Sequence, residues 1–288
     1  MSGQVKAGQT PLDSVLFRHP RLRRLVSQLV PDRTVTISLL HRQLTISSRL
    51  EIGLLRLGWL INSSPTGNEL AALVSLAGVM QPGCTFVDVG ANVGLYSVAL
   101  ASIGDAMDFD VLAIEPNPAT AARLRTNLAP YRCATVLEAA VSNRQGRLPM
   151  VYSSHSSVTF RVAQPSLDAR VGLLDGQEYS IDAVRLDQVP QLAERPIVAK
   201  IDVEGHEAEA LDGMQGLFDR GQLQALMIDG FQDTHIPERL RALGYALYDA
   251  RSMRAYDASR HPALLAKLTA ASCSHTEGEL TNLGLHAT

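Results

Sequence analysis

The chain has 288 residues, 46% of them hydrophobic and 19% charged, with a net charge of −3. That length holds one large α/β domain with an appendage or two modest domains, and the composition is that of an ordinary globular protein rather than a disordered or membrane-embedded one. The overall charge gives no reason to expect nucleic acid. The first 50 residues nevertheless carry +6 and the remainder −9, so the basic segment is either a solvated or partner-facing surface or a contact for a polyanion, an acidic lipid or a phosphate-bearing substrate.

Cys84, Cys133 and Cys273 are few, odd in number and scattered. They imply no disulfide framework and fit a reducing compartment. No apolar run reaches the ~18–20 residues of a membrane span, and Met1 to Thr10 lacks the apolar core of a signal peptide. The expected location is cytoplasmic.

Residues 1–12 are polar and read as disordered, and Asp13 to Val30 carries a helical pattern broken at Pro20. Val35–Leu39 and Leu44–Ser47 alternate with period two around His41-Arg42-Gln43, which predicts a hairpin. Such a piece is marginal alone but can flank or lid a core, or serve as an oligomer interface. Thr66-Gly67-Asn68-Glu69 then precedes an apolar helix, Leu70 to Met80, with Asn68 as its N-cap. Glu69 reads either as a helix-start acid favoured by the dipole or as a pocket residue. Pro82-Gly83 ends that helix.

Thr85 to Val89 is a short apolar run read as a buried strand, followed by a turn holding Gly90 and Gly94 and a helix from Leu95. Such a strand–turn–helix unit aims backbone N–H groups into a nucleotide-sized pocket. Gly90 can take a positive φ and admit close ligand approach, while Gly94 lets the helix start near the strand. The spacing Asp88-x-Gly90-x-Asn92-x-Gly94 departs from the dinucleotide fingerprint Gly-x-Gly-x-x-Gly. An acid precedes the turn, and an amide replaces the middle glycine. That acid disfavours a pyrophosphate and suits an ammonium-bearing ligand, which is the logic of S-adenosylmethionine (SAM).

Asp110 to Ile114 is a second buried strand ending at Glu115, Ala119 to Leu128 a helix after Pro116-Asn117-Pro118, and Thr135 to Val141 a third strand. Strand–helix alternation at this spacing predicts parallel pairing in a doubly wound sheet. Ligands of such sheets lie over the carboxyl ends of the strands, where Asp88, Glu115 and Ala140 to Asn143 fall. The two acceptor oxygens of Glu115 match the vicinal diol of a ribose. Leu148 to Phe160 and Tyr179 to Val184 read as strands of an insertion, whose Ser153, Ser154, His155, Ser156 and Ser157 are solvated or face substrate.

Pro196 to Asp202 is the fourth core strand. Its exit, Asp202-Val203-Glu204-Gly205-His206-Glu207, places three acids and a histidine at the end of a buried strand, which is costly unless they are partnered or used. A helix, Ala208 to Phe218, follows. Leu223 to Ile228 is a fifth strand ending at Asp229, Pro237 to Gly244 a helix, Tyr245 to Tyr248 a sixth strand, and 282–285 a candidate last edge strand.

Three blocks together, Asp88 to Ser97 (DVGANVGLYS), Glu115 to Pro118 (EPNP) and Lys200 to Glu207 (KIDVEGHE), resemble the FkbM-type methyltransferase family. Gly67-Asn68-Glu69, Ala140-Val141-Ser142 with Gly146, and Leu186-Asp187 are weaker matches. The resemblance runs from about Gly67 to Asp229 and leaves both ends unexplained. It implies a class I methyltransferase fold: α/β, Rossmann-like, with a doubly wound, mostly parallel seven-stranded sheet and, here, an N-terminal helix/hairpin appendage. It also implies SAM as methyl donor, with O-methylation of sugars, glycolipids and other natural-product hydroxyls.

Carried over residue by residue, the resemblance gives Asp88, Gly90, Asn92 and Gly94 the methionine site and Glu115 the ribose site, with Asn117 of the same block also expected to bind the cofactor. Ala140 and Val141 would lie near the adenine. Asp202, Glu204 and His206 would face the transferred methyl, Asp202 also touching the cofactor. Asp229 stands where the family more often has a glutamate. The expected organisation is an extension over 1–66, a methyltransferase core over 67–250 with a β insertion at about 148–184, and a C-terminal segment over 251–288 that holds the last strand.

His206 is the first choice for general base, since an imidazole pKa of ~6.5 suits neutrality. Asp202 or Glu204 would hold its tautomer or take the proton directly. A Mg²⁺ route through oxygen donors such as Asp202, Glu204 and Asp229 is less favoured, because no compact ligand motif of fixed spacing is present, and no metal site is assigned. Two readings from other classes remain. A nicotinamide oxidoreductase conflicts with the glycine spacing, and a nucleotide-binding, non-catalytic partner protein would be expected to lose the acids after the fourth strand. The expected acceptor is a small molecule or glycan, with a homo-oligomer allowed by the hairpin.

Overall fold

The computed structural model describes residues 31–39, 42–51, 64–151, 161–162, 178–231, 233–260 and 263–269. The helical pattern of 13–30, Ser153 to Ser157 with His155, and the strand expected at 282–285 lie outside these residues. In the described part, β1 (Thr34–Leu39) and β2 (Arg42–Ser47) form the antiparallel hairpin, with Val35 opposite Ile46 and Ile37 opposite Leu44. Leu44 and Ile46 are buried in the same core as Phe86 and Leu124, so the hairpin contributes to the core as well as covering it.

Helix α1 spans Ser64–Ala77 and so begins upstream of the expected start. Asn68 lies inside it and is not its N-cap. Pro65 falls in the first turn, where a missing N–H forfeits no helical hydrogen bond. The chain then runs through β3 (Thr85–Val89), α2 (Leu95–Met107), β4 (Asp110–Ile114), α3 (Pro118–Leu128) and β5 (Ala134–Leu137).

The third predicted strand divides here. After Leu137 the chain leaves the central sheet, and β6 (Ala140–Val141) joins a second, four-stranded sheet with β7 (Gly146–Val151), β8 (Arg161–Val162) and β9 (Glu178–Val184). β6 pairs in parallel with β9, through Ala140 opposite Ala183.

The main sheet resumes at β10 (Ile197–Ile201). The expected single helix after it is two short ones, α4 (Glu207–Asp212) and α5 (Gln215–Asp219), broken at Gly213. A Cβ at Gly213 would stand 2.0 Å from the Ser142 carbonyl oxygen, so the chain bends where the two backbones touch. Next come β11 (Leu223–Ile228), α6 (Ile236–Ala242), β12 (Tyr245–Asp249) and β13 (Leu264–Leu268). Among the described residues the last strand is β13. It is interior, inserted antiparallel between β11 and β12.

The seven strands lie in the order β12-β13-β11-β10-β3-β4-β5, parallel except for β13. Alternation along each strand feeds two cores. Phe86, Val111, Val198 and Met227 face α1, α2, α3 and the hairpin, whereas Val87, Leu112, Ala199 and Leu226 face α4, α5 and α6. Strand order reverses between β3 and β10, and a crevice opens over the carboxyl ends at such a switch point. Among the described residues no helix is long and apolar enough to cross a membrane.

Candidate functional site

A cleft of about 660 Å³, open to solvent, lies over that switch point. Val89, Gly90 and Asn92 from the turn after β3 line it, with Glu115 and Pro116 after β4, Ala139 to Val141 at β6, Met150 of β7, and Asp202 to Glu204 with His206 after β10.

The glycine turn is held from below. The Gly90 and Ala91 N–H groups both donate to the Ile114 carbonyl at 3.0 Å. Gly90 has φ +76°, and a Cβ there would stand 2.0 Å from the Asp202 carbonyl oxygen, so only glycine lets the ends of β3 and β10 meet. Gly94 has φ +94°, and its missing Cβ leaves room for Leu124 of α3.

Glu115 is 6% exposed. Its Oε2 accepts from the Asn92 N–H at 2.9 Å and its Oε1 from the Asn117 N–H at 2.9 Å, stapling the glycine turn to the turn after β4. Burial pushes this carboxyl up to about 7, against the two backbone donors and Lys200, which hold it down, and with Asp88 pushing the same way. Each oxygen keeps lone-pair capacity for a further donor. The Asn117 side chain is not part of the cleft lining. It caps α3, accepting from the Ala119 and Thr120 N–H groups at 3.0 and 3.3 Å, and so bears on the site through Glu115.

Asp88 is not a lining residue either. It is 1% exposed, its Oδ2 accepts from Ser97 Oγ at 2.6 Å, and its Oδ1 lies 3.5 Å from Lys200 Nζ. The register places Lys200 directly beside Asp88 on neighbouring strands, on the same face. Lys200 Nζ is also 3.3 Å from Asp202 Oδ2 and 5.0 Å from the centre of the Tyr96 ring. Burial would pull the Lys200 ammonium down, but the Asp202, Asp88 and Glu69 carboxylates outweigh it and hold it above the usual lysine range. The acid before the turn is therefore already paired, and of the two carboxylates on Lys200 it is Asp202, 44% exposed at its side chain, that lines the cleft. Nothing in the sequence pattern assigned Lys200 this part; a lone cation in an apolar strand flanked by acids was the available signal.

Glu69 does not sit at a helix start. Its Oε2 accepts from the Tyr96 hydroxyl at 2.5 Å, and burial raises its carboxyl above the usual range. His206 also departs from expectation. Its Nε2 lies 3.0 Å from Ser142 Oγ and its Nδ1 3.4 Å from Glu209 Oε2, so Ser142 and Glu209 fix the ring where Asp202 or Glu204 was expected to. Burial, helped by Arg144 and opposed by Glu209, lowers its pKa, which leaves a neutral imidazole at pH 7. Ser142 follows β6, which puts His206 at the Ala140–Val141 end of the cleft, whereas Asp202 stands beside Gly90 at the other.

Asp229 Oδ2 pairs with Arg251 Nη2 at 3.5 Å. Among the described residues no group of three His, Cys, Asp or Glu side chains is arranged to hold a metal ion.

A comparison with curated proteins gives no match. Among solved structures, an FkbM methyltransferase of Methylobacillus flagellatus is 16% identical with a TM-score of 0.44, over 88% of this chain and 60% of that one. A TehB-like SAM-dependent methyltransferase of Corynebacterium glutamicum is 13% identical at 0.41 (76% and 97%), and an rRNA methylase of Streptococcus thermophilus 14% identical at 0.38 (70% and 97%). The chain thus spans about 60% of the length of the Methylobacillus protein. The profile of the methyltransferase FkbM domain matches residues 88–247, from the acid before the glycine turn to the middle of β12. That is more than half of the chain and takes in every strand end that lines the cleft, and by it the chain belongs to the FkbM methyltransferase family.

Proposed function

We propose that the protein is a SAM-dependent O-methyltransferase acting on a hydroxyl of a sugar, glycolipid or other small natural product, in the cytoplasm, with no nucleic-acid partner. The observation that carries this reading is the cleft at the β3/β10 switch point, lined by both Glu115 and Asp202. The donor set fits the cofactor. Glu115 offers acceptors to a ribose diol, and Ala140, Val141 and Met150 offer an apolar wall to a purine. Gly90, Asn92 and Gly94 bring the backbone close to an amino-acid end that Asp202 would attract, with Asp88 supporting the turn through Ser97.

When bound, SAM would supply a methyl group activated on sulfonium sulfur, for transfer in line to the acceptor oxygen with the thioether sulfur leaving with the C–S electron pair. The protein aligns the acceptor and takes up the proton lost from its hydroxyl. Asp202 is the group we assign to that proton. It is the half-exposed carboxylate beside Lys200 at the β10 exit, with the more exposed Glu204 next to it in the lining, whereas both ring nitrogens of His206 are engaged. His206 instead orders the Ala140–Val141 end through Ser142. The Mg²⁺ route stays the less favoured one, because Lys200 stands on Asp202 and Arg251 on Asp229, where a metal would have to displace them.

The test is methyl transfer from isotopically labelled SAM to a panel of sugar and glycolipid acceptors, by wild type and Asp202→Asn. Label in an ether-linked methyl, reduced about 100- to 10,000-fold in the variant, is expected. Label appearing only on amines, or an unimpaired variant, would overturn the assignment.

A further inference from the structure

Lys200 is an ammonium 3% exposed that does not itself line the cleft but meets it through Asp202; it lies 3.5 Å from a carboxylate that is itself 1% exposed and 3.3 Å from Asp202, which is 44% exposed at its side chain. Burying Asp88 needs such a counter-ion, since its Oδ1 has no hydrogen-bond donor. With Asp88 balanced by Lys200, the trio presents one net negative charge, and Asp202 carries it toward the ligand. SAM has one net positive charge. Its demethylated product, S-adenosylhomocysteine, has none.

We infer that Lys200 is a positioning residue that sets the charge of this end of the cleft to match the methyl donor and to disfavour the demethylated product. The inference rests on the SAM reading above. Lys200 touches neither ligand in this role; it acts by neutralising Asp88 and holding the Asp202 carboxylate. Product release is favoured as a consequence, because the attraction lapses once the methyl leaves.

The two ligands share ribose, adenine and amino-acid groups, so contacts at Glu115, Val141 and His206 cancel in the ratio of their dissociation constants. That ratio is the readout, from calorimetric titration of the full chain with each ligand. Asp88→Asn removes one negative charge and is expected to lower the preference for SAM by about tenfold. Lys200→Met removes the positive charge and should raise it by a similar factor, although it strands Asp88 and risks unfolding. The pair Asp88→Asn with Lys200→Met restores both the local charge and a neutral core, and its ratio should return to that of wild type.

A purely structural Lys200 would weaken both ligands alike and leave the ratio flat across Asp88→Asn and the double variant, which would overturn the inference. A wild type that binds neither ligand would instead refute the SAM reading itself.

Discussion

Gly90 offers a perturbation whose magnitude can be worked from the fold. At φ +76° an alanine must adopt the left-handed region, at a cost of roughly 1–2 kcal/mol. Its Cβ would also stand 2.0 Å from the Asp202 carbonyl oxygen and 3.0 Å from the carbonyl carbon. Neither atom can rotate away, because both belong to backbone fixed by the β3/β10 pairing, so the strand ends must separate. Forced shifts of that kind cost about 1–3 kcal/mol.

Gly230 is the control. Its φ is +72° and nothing lies within 4 Å of its Cβ position, so Gly230→Ala should show the backbone cost alone. The loss of chain freedom in the unfolded state is common to both variants and cancels. Urea denaturation followed by circular dichroism should therefore find Gly90→Ala less stable than Gly230→Ala by about 1–3 kcal/mol. Equal destabilisation would refute the close approach of Asp202 to the turn and the glycine requirement drawn from it.

Two further outcomes concern Glu115 and its neighbour. The carboxyl titrates near 7 when folded against 4.5 as its ordinary value, so the folded state holds the extra proton between those limits. Stability is expected to fall by roughly 3 kcal/mol as pH rises through that window, at about 1.36 kcal/mol per pH unit. Denaturation at closely spaced pH values should show this slope in wild type and its loss in Glu115→Gln; the same slope in both would contradict the assignment. Asn117→Ala removes the α3 cap and should cost about 1 kcal/mol, read as a lowered melting temperature, and a variant as stable as wild type would show the cap to be idle.

The centre of the fold was legible because local and tertiary signals agree there. Thr85 to Val89 is a strand by composition, Gly90 and Gly94 are turn residues by necessity, and the blocks at Glu115 and Asp202 fall at strand ends where alternation places them. Legibility failed where a contact across the fold decides. The run from Thr135 to Val141 is continuously strand-like, and only pairing with β9 shows that Ala140 and Val141 belong to another sheet. Gly213 reads as an ordinary helical glycine until the Ser142 carbonyl is seen against it. Ala263 to Leu268 is rich in alanine and leucine, good helix formers, yet it fills the gap between β11 and β12, and tertiary pairing overrides propensity.

The site shows the same division. Residue types and spacing marked Asp88, Glu115 and Asp202 as candidate site acids, but not which of them line the cleft. That was set by Lys200, which the β3/β10 register places against Asp88, and by Ser142 and Glu209, which take up the ring of His206. Charge and hydrogen-bond partners of buried groups are properties of the packed sheet, and single-chain spacing carries little of them.

The most direct test of the account is calorimetric titration of SAM into wild type and Glu115→Gln at pH 8, where Glu115 is ionised. Wild type should bind in the micromolar range, and the variant, having lost a charged acceptor for the ribose, about 10- to 100-fold more weakly. A folded wild type that takes up no SAM, or a variant that binds it as tightly as wild type, would contradict the account.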